Sequence, residues 1–143
     1  MIYLELFSTI PDICKIFHMN KKLRLIHFIV SILFIIIMII IQKYYRPWIY
    51  SNHLFDFYLA DTFTNLFGEG ICFFLISSLF APQYISKPIP LLLQTSTALI
   101  LYELAGLILK KGLCDYKDII ATIIGALFAY LINRFLNKYF CSY

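Results

Sequence analysis

Charge is scarce in this sequence. Only 14% of its 143 residues are Asp, Glu, Lys or Arg, while 62% are hydrophobic. Soluble domains run nearer a quarter charged and half apolar. A soluble fold this short has too little interior to hide the surplus, and lipid as solvent removes the problem. Glycine and proline are also few, five of each. They build no phosphate loop, nucleophile elbow or low-complexity linker, and no internal repeat is present. The four cysteines, Cys14, Cys72, Cys114 and Cys141, form no CxxC pair and have no histidine at metal-ligand spacing. That excludes a closely paired disulfide framework and a recognisable metal centre, so no metal and no cofactor are expected. His18, His27 and His53 stand singly and read as interfacial residues. The net charge of +4 lies between the apolar runs rather than in a patch, which argues against nucleic acid as a partner.

What is present is a set of long apolar runs. Residues 25–41 are interrupted only by His27 and Ser31. They span about 25 Å as a helix, enough for a hydrocarbon core. Basic residues precede this run, but it continues too long for a signal peptide and shows no small-residue cleavage site, so it reads as a retained anchor facing lipid. Further runs follow at residues 59–80, 89–109 and 117–136. The third is entered through Pro88 and Pro90, since proline suits the first turn of a helix. The pattern predicts an all-α fold: one domain over residues 1–143, a polytopic membrane bundle of four transmembrane helices. Ile10, Ile13, Ile16 and Phe17 share a face if a helix starts at Pro11, which adds an N-terminal interfacial helix. Residues 42–58, rich in Tyr and Trp, read as a loop along the headgroups. With the N-terminus inside, seven basic residues lie inside and five outside. The excess, with the cluster before the first run, predicts a multi-pass cell-membrane protein with both termini inside.

Ionisable residues within such runs are expensive and are site candidates by default. Asp61 and Asn65 lie four apart on one helix face, and Glu69 continues the spacing. Gly68 and Gly70 beside Glu69 let another helix approach. Glu103 lies within the last two turns of its run, where the helix dipole disfavours a carboxylate. Asp118, Thr122, Gly125 and Ala129 form a stripe, acidic at one end and small along its length, as helix contact in lipid requires. Gly106 continues the face of Glu103. Packing these faces gathers Glu103, Asp118, Asp115, Asp61 and Asn65 around a polar pocket near the outer surface, with Lys110 and Lys111 as countercharge. For Asp61, Asp115 and Asp118, capping of helix N-termini is the competing role. Nothing here assigns a catalytic residue.

The segment from Tyr102 to Leu131, YELAGLILKKGLCDYKDIIATIIGALFAYL, resembles the conserved end of the VanZ-like family of small bacterial membrane proteins. That family shows Glu, then Gln three on, Arg nine on, Asp twelve and fifteen on, Asn nineteen on, and Gly twenty-two and twenty-six on. Counted from Glu103, this chain keeps Asp115, Asp118 and Gly125. It carries Gly106, Gly112, Thr122 and Ala129 at the other positions, with Lys110 and Lys111 beside the missing arginine. Asp61, Asn65 and Gly68 also resemble the family's second helix. The resemblance implies a compact helical membrane protein connected with resistance to envelope-active antibiotics. Its partners would be membrane lipids and a lipid-linked or lipophilic envelope molecule. The alternative expectation is a non-enzymatic interaction or immunity-type protein that binds another membrane protein.

Overall fold

A computed structural model describes the backbone of residues 2–80, 82–108 and 116–140, and the side chains of residues 21–80, 82–106 and 116–140. Every regular element among them is helical. Helix α1, Ile2–Ile40, passes through a π turn, Ile41–Tyr45, into α2, Arg46–Ser51. Then come α3, Leu59–Leu79, a 3-10 turn at Pro82–Ile85, α4, Ile89–Ile108, and α5, Tyr116–Phe140. Among the described residues, four helices are long and apolar enough to cross a membrane: Lys21–Ser51, Leu59–Leu79, Ile89–Gly106 and Tyr116–Phe140.

The first helix departs from expectation at both ends. There is no separate N-terminal helix, because α1 is continuous through residues 2–40. The face expected of Ile10, Ile13, Ile16 and Phe17 lies outside the described side chains. Residues 42–51, expected in a loop, are helical. Pro47 explains how the helix continues past its own breaker. Proline removes a donor and crowds the preceding turn. The π turn, closed by Arg46 N–H donating to Ile41 O, widens the ladder where that crowding falls.

The connection that remains, residues 52–58, is strained. His53, Phe57 and Tyr58 all have left-handed backbones, with φ of 51°, 56° and 65°, a region that bulky residues rarely occupy. The strained path delivers Asp56 to the start of α3, where its Oδ2 accepts the Ala60 N–H at 2.8 Å. At the far end of α3, Arg24 donates from Nε to Ser78 O at 2.8 Å and from Nη2 to Leu79 O at 3.4 Å. A cation thus meets the negative end of the helix.

Helix α3 is the hub. It packs against α1, α4 and α5, whereas α4 leans on α3 and α5. Helices α1 and α3 run antiparallel, and the pairs along the seam show it: His27 with Ser77, Phe34 with Gly70, and Gln42 with Thr64. Helix α1 is therefore not a plain anchor, because Leu23, His27 and Ser31 are buried on its α3 side. The core joins Leu23, Phe73, Phe74, Ile85, Leu91, Leu92, Ala129 and Leu136. Outward positions of α1 and α5 are apolar: Ile29, Leu33, Ile36 and Ile40 on one, Ile123, Leu127, Leu131 and Phe135 on the other, all exposed.

Candidate functional site

At the end of the bundle where α3 starts and α4 finishes, Asn65 Nδ2 donates to Glu103 Oε1 at 3.3 Å. The bond joins α3 to α4 through two half-buried side chains. Asp61, one turn before Asn65, turns the other way. Its Oδ1 accepts from Arg46 Nη2 at 2.9 Å and from the Tyr50 hydroxyl at 2.5 Å. Countercharge for Asp61 thus comes from the extension of α1 beyond the π turn. Gln42, Arg46 and Tyr50, four apart, all reach α3. Four residues overshoot one α turn of 3.6, and the wider π turn offsets the drift.

Asp118 lies in the first turn of α5, half-buried, and its backbone carbonyl accepts the Thr122 hydroxyl at 2.9 Å. Both Asp118 and Lys117 have interaction partners. Lys117 Nζ sits 3.0 Å from the centroid of the Tyr58 ring, tying the start of α5 to the strained connection. Asp115, Lys110 and Lys111 lie outside the described residues. Of the five pocket candidates, the structure joins Asn65 to Glu103, sends Asp61 to Arg46 and Tyr50, and places Asp118 at the head of α5.

The small stripe of α5 faces α3. Thr122, Gly125 and Ala129 are buried. A Cβ on Gly125 would collide with the carbonyl oxygen of Leu66, and would lie 3.1 Å from its carbon and 3.2 Å from Glu69 Cβ. The bare glycine lets the two backbones come this close. Gly106 is different: a Cβ there meets nothing within 4 Å.

A second polar set lies deeper in the bundle; its Glu69 continues the spacing of Asp61 and Asn65, whereas His27 was expected at the interface. His27 is fully buried, its Nδ1 2.9 Å from the Ser77 hydroxyl. Asn133 is buried beside it and donates from Nδ2 to Ile85 O at 3.1 Å. Asn137 donates to the same carbonyl at 2.7 Å. His27 Nε2 and Asn133 Oδ1 have no partner within hydrogen-bonding geometry. Glu69 is fully buried as well. Its Oε1 lies 2.6 Å from the Thr95 hydroxyl, Ser96 contributes a further hydroxyl interaction, and Oε2 is unpartnered. Two sequence signals pointed here. His27 and Ser31 are the only interruptions of the first run and lie four apart, hence on one face. Glu69 sits between two glycines in mid-run.

No known protein family matches the chain, and no curated protein or solved structure matches it.

Proposed function

We propose that this chain is a multi-pass protein of the cell membrane, VanZ-like in organisation, that binds a lipid-linked or lipophilic envelope molecule at the outer leaflet. The Asn65–Glu103 contact carries the proposal. A carboxylate and a carboxamide shared by two apolar helices present acceptor and donor atoms together, the pairing that hydroxyl or ammonium groups of a headgroup require. Its two members are only half-buried, so the pair is reachable from outside the bundle. Asp118, half-buried in the first turn of α5, is the further acidic residue assigned to the site. The apolar outward faces of α1 and α5 support lipid as the surrounding solvent. The excess of basic residues, seven against five, supports an orientation with both termini inside and the segment around residue 113 outside. A cysteine placed at residue 113 should then react with an impermeant maleimide added to whole cells. Reaction only from the cytoplasmic side reverses the orientation.

The functional test uses Glu103→Gln and Asp118→Asn in a deletion strain challenged with envelope-active agents. Both variants should express and insert normally and yet fail to restore wild-type sensitivity. Full complementation by both makes the polar contact structural and removes the binding reading.

A groove favours the second reading, a non-enzymatic protein that binds another membrane protein. Phe34, Phe63, Leu66, Phe67, Phe128 and Ile132 line an apolar cleft of about 330 Å³ between α1, α3 and α5. Such a surface accepts a helix as readily as an acyl chain. Co-purification of a stoichiometric membrane partner, lost on substituting Phe128 with serine, decides for it.

A further inference from the structure

Glu69 sits where three helices meet. Its backbone belongs to α3, its carboxyl meets Thr95 and Ser96 of α4, and its Cβ lies against the bare backbone of Gly125 in α5. It is fully buried, and no cation contacts it among the described residues.

The burial of the carboxyl and its contacts with α4 favour the acid form. The Thr95 hydroxyl oxygen lies 2.6 Å from Glu69 Oε1, 3.0 Å from Leu91 O and 3.2 Å from Leu92 O. A hydroxyl has one hydrogen to give. If Glu69 were ionised, the Thr95 hydroxyl would give its one hydrogen to Oε1, and the charge would be buried with Oε2 unpartnered and no cation beside it among the described residues. If the carboxyl is in its acid form, Oε1–H donates to Thr95 and Thr95 donates to Leu91 O. Each hydrogen is used once and no charge is buried.

We infer that Glu69, Thr95 and Ser96 form a proton-binding site, in which the carboxyl exchanges a proton with the surroundings and the hydroxyls of α4 hold its acid form. The step is Glu69–COOH releasing H⁺ to leave Glu69–COO⁻, with no other reactant. Groups facing the site from each element are few. Cys72 lies one turn on along α3. From α1 the nearest titratable group is His27, stacked on Phe73 and Phe74 and bonded to Ser77. Helix α4 presents the two hydroxyls, with Glu103 eight residues further along. Helix α5 presents Gly125. None of these supplies a positive charge to hold a carboxylate in place. Loss of the proton therefore strands a charge at the seam that seats α4, and α4 is the helix that yields, since among the described residues it is held chiefly by α3 and α5, with the Pro82–Ile85 turn at its start. The inference is independent of any headgroup at Asn65 and Glu103.

The test uses dicyclohexylcarbodiimide, a lipophilic reagent that adds to the acid form of a carboxyl in an apolar setting. The full-length protein in lipid vesicles is treated across a pH series, and the modified residue is located by peptide mass spectrometry. Glu69 should be labelled, and Glu69→Gln should lose that label while melting with the wild type, because a neutral amide replaces a neutral acid. Labelling should fall roughly tenfold per pH unit once the carboxyl ionises, and replacing choline by sodium at fixed pH should not change it. Absence of label at Glu69 overturns the inference, as does labelling at one rate across the series, which means a proton that never leaves. Protection by sodium makes the ligand a metal cation instead and also overturns it, as does a Glu69→Gln protein that melts well below the wild type.

Discussion

Replacing Gly125 by alanine should loosen the α3–α5 seam far more than its single methyl suggests. The new Cβ would collide with Leu66 O and would sit 3.1 Å from the Leu66 carbonyl carbon and 3.2 Å from Glu69 Cβ. Comfortable carbon contacts are about 3.5–4.0 Å. Two of the obstructing atoms are backbone, which no rotamer change moves aside, so the helices must part by several tenths of an ångström. A radial gap of about 0.5–1 Å forfeits a quarter to a half of each dispersion contact. The loss extends to Ala121, Thr122 and Ala129, buried along the same seam. Overpacking of this kind costs about 1–3 kcal/mol. Gly68 is the control: its Cβ meets nothing within 4 Å, so Gly68→Ala should be neutral or gain up to about 1 kcal/mol of helix propensity. Gly70→Ala should fall between, because it meets the movable ring of Phe34. Melting can be followed by a thiol-reactive dye at the half-buried, free Cys72, with the other three cysteines changed to serine. Equal melting of the Gly125 and Gly68 variants would refute the close-approach argument.

Three further outcomes follow from particular contacts. Asn133 and Asn137 both donate to Ile85 O, so each alanine variant alone should cost about 0.5–1.5 kcal/mol. The double variant should cost more than the sum, because it leaves a buried carbonyl unpaired; additive melting shifts would show that the carbonyl finds another donor. Arg46 and Asp61 are 46% and 39% exposed, so Asp61→Asn should cost less than about 1 kcal/mol and matter less as salt rises. A larger, salt-independent loss would mean that the pair is shielded from solvent. Phe57 holds a left-handed backbone with φ of 56°, and Phe57→Asn should raise the melting point by an amount equivalent to up to about 1 kcal/mol. A lower melting point would show that the contact of Phe57 with the Phe55 ring outweighs the strain.

The four apolar helices were readable because a run of apolar residues long enough to cross a bilayer has few other readings. The boundaries of α3 and α4 fell within a residue of expectation for the same reason, helped by Pro82 and by Pro88 and Pro90. Helix α1 was misread for a physical reason too. Tyr, Trp and Pro47 mark an interface by composition, but composition does not reveal that a π turn can absorb a proline. In the site, spacing drew Asp61 and Asn65 onto one face and the small stripe of α5 into one line, yet Asp61 and Asn65 go to different partners. Which helix that line meets is tertiary information. Asp61 found Arg46 and Tyr50 because the unexpected extension of α1 put them there. His27 and Glu69 were undervalued because a lone polar residue in an apolar run shows nothing of the serine, threonine or asparagine that will face it from a helix fifty or more residues distant, or a span away.

The hub position of α3 also bears on how the chain is assembled during synthesis. Helix α3 leaves the ribosome after α1, so its first neighbour is already made. The α1–α3 hairpin, with His27 against Ser77 and Arg24 on the last carbonyls, can close before α4 exists. Helix α4 emerges next but finds half its seat missing, since the other half is α5. Until α5 is made, Glu69 faces a single partner helix through Thr95. A stage holding α1, α3 and α4 without α5 therefore has α4 as its least settled member, and its Thr95 and Ser96 hydroxyls as the polar groups that await the last helix.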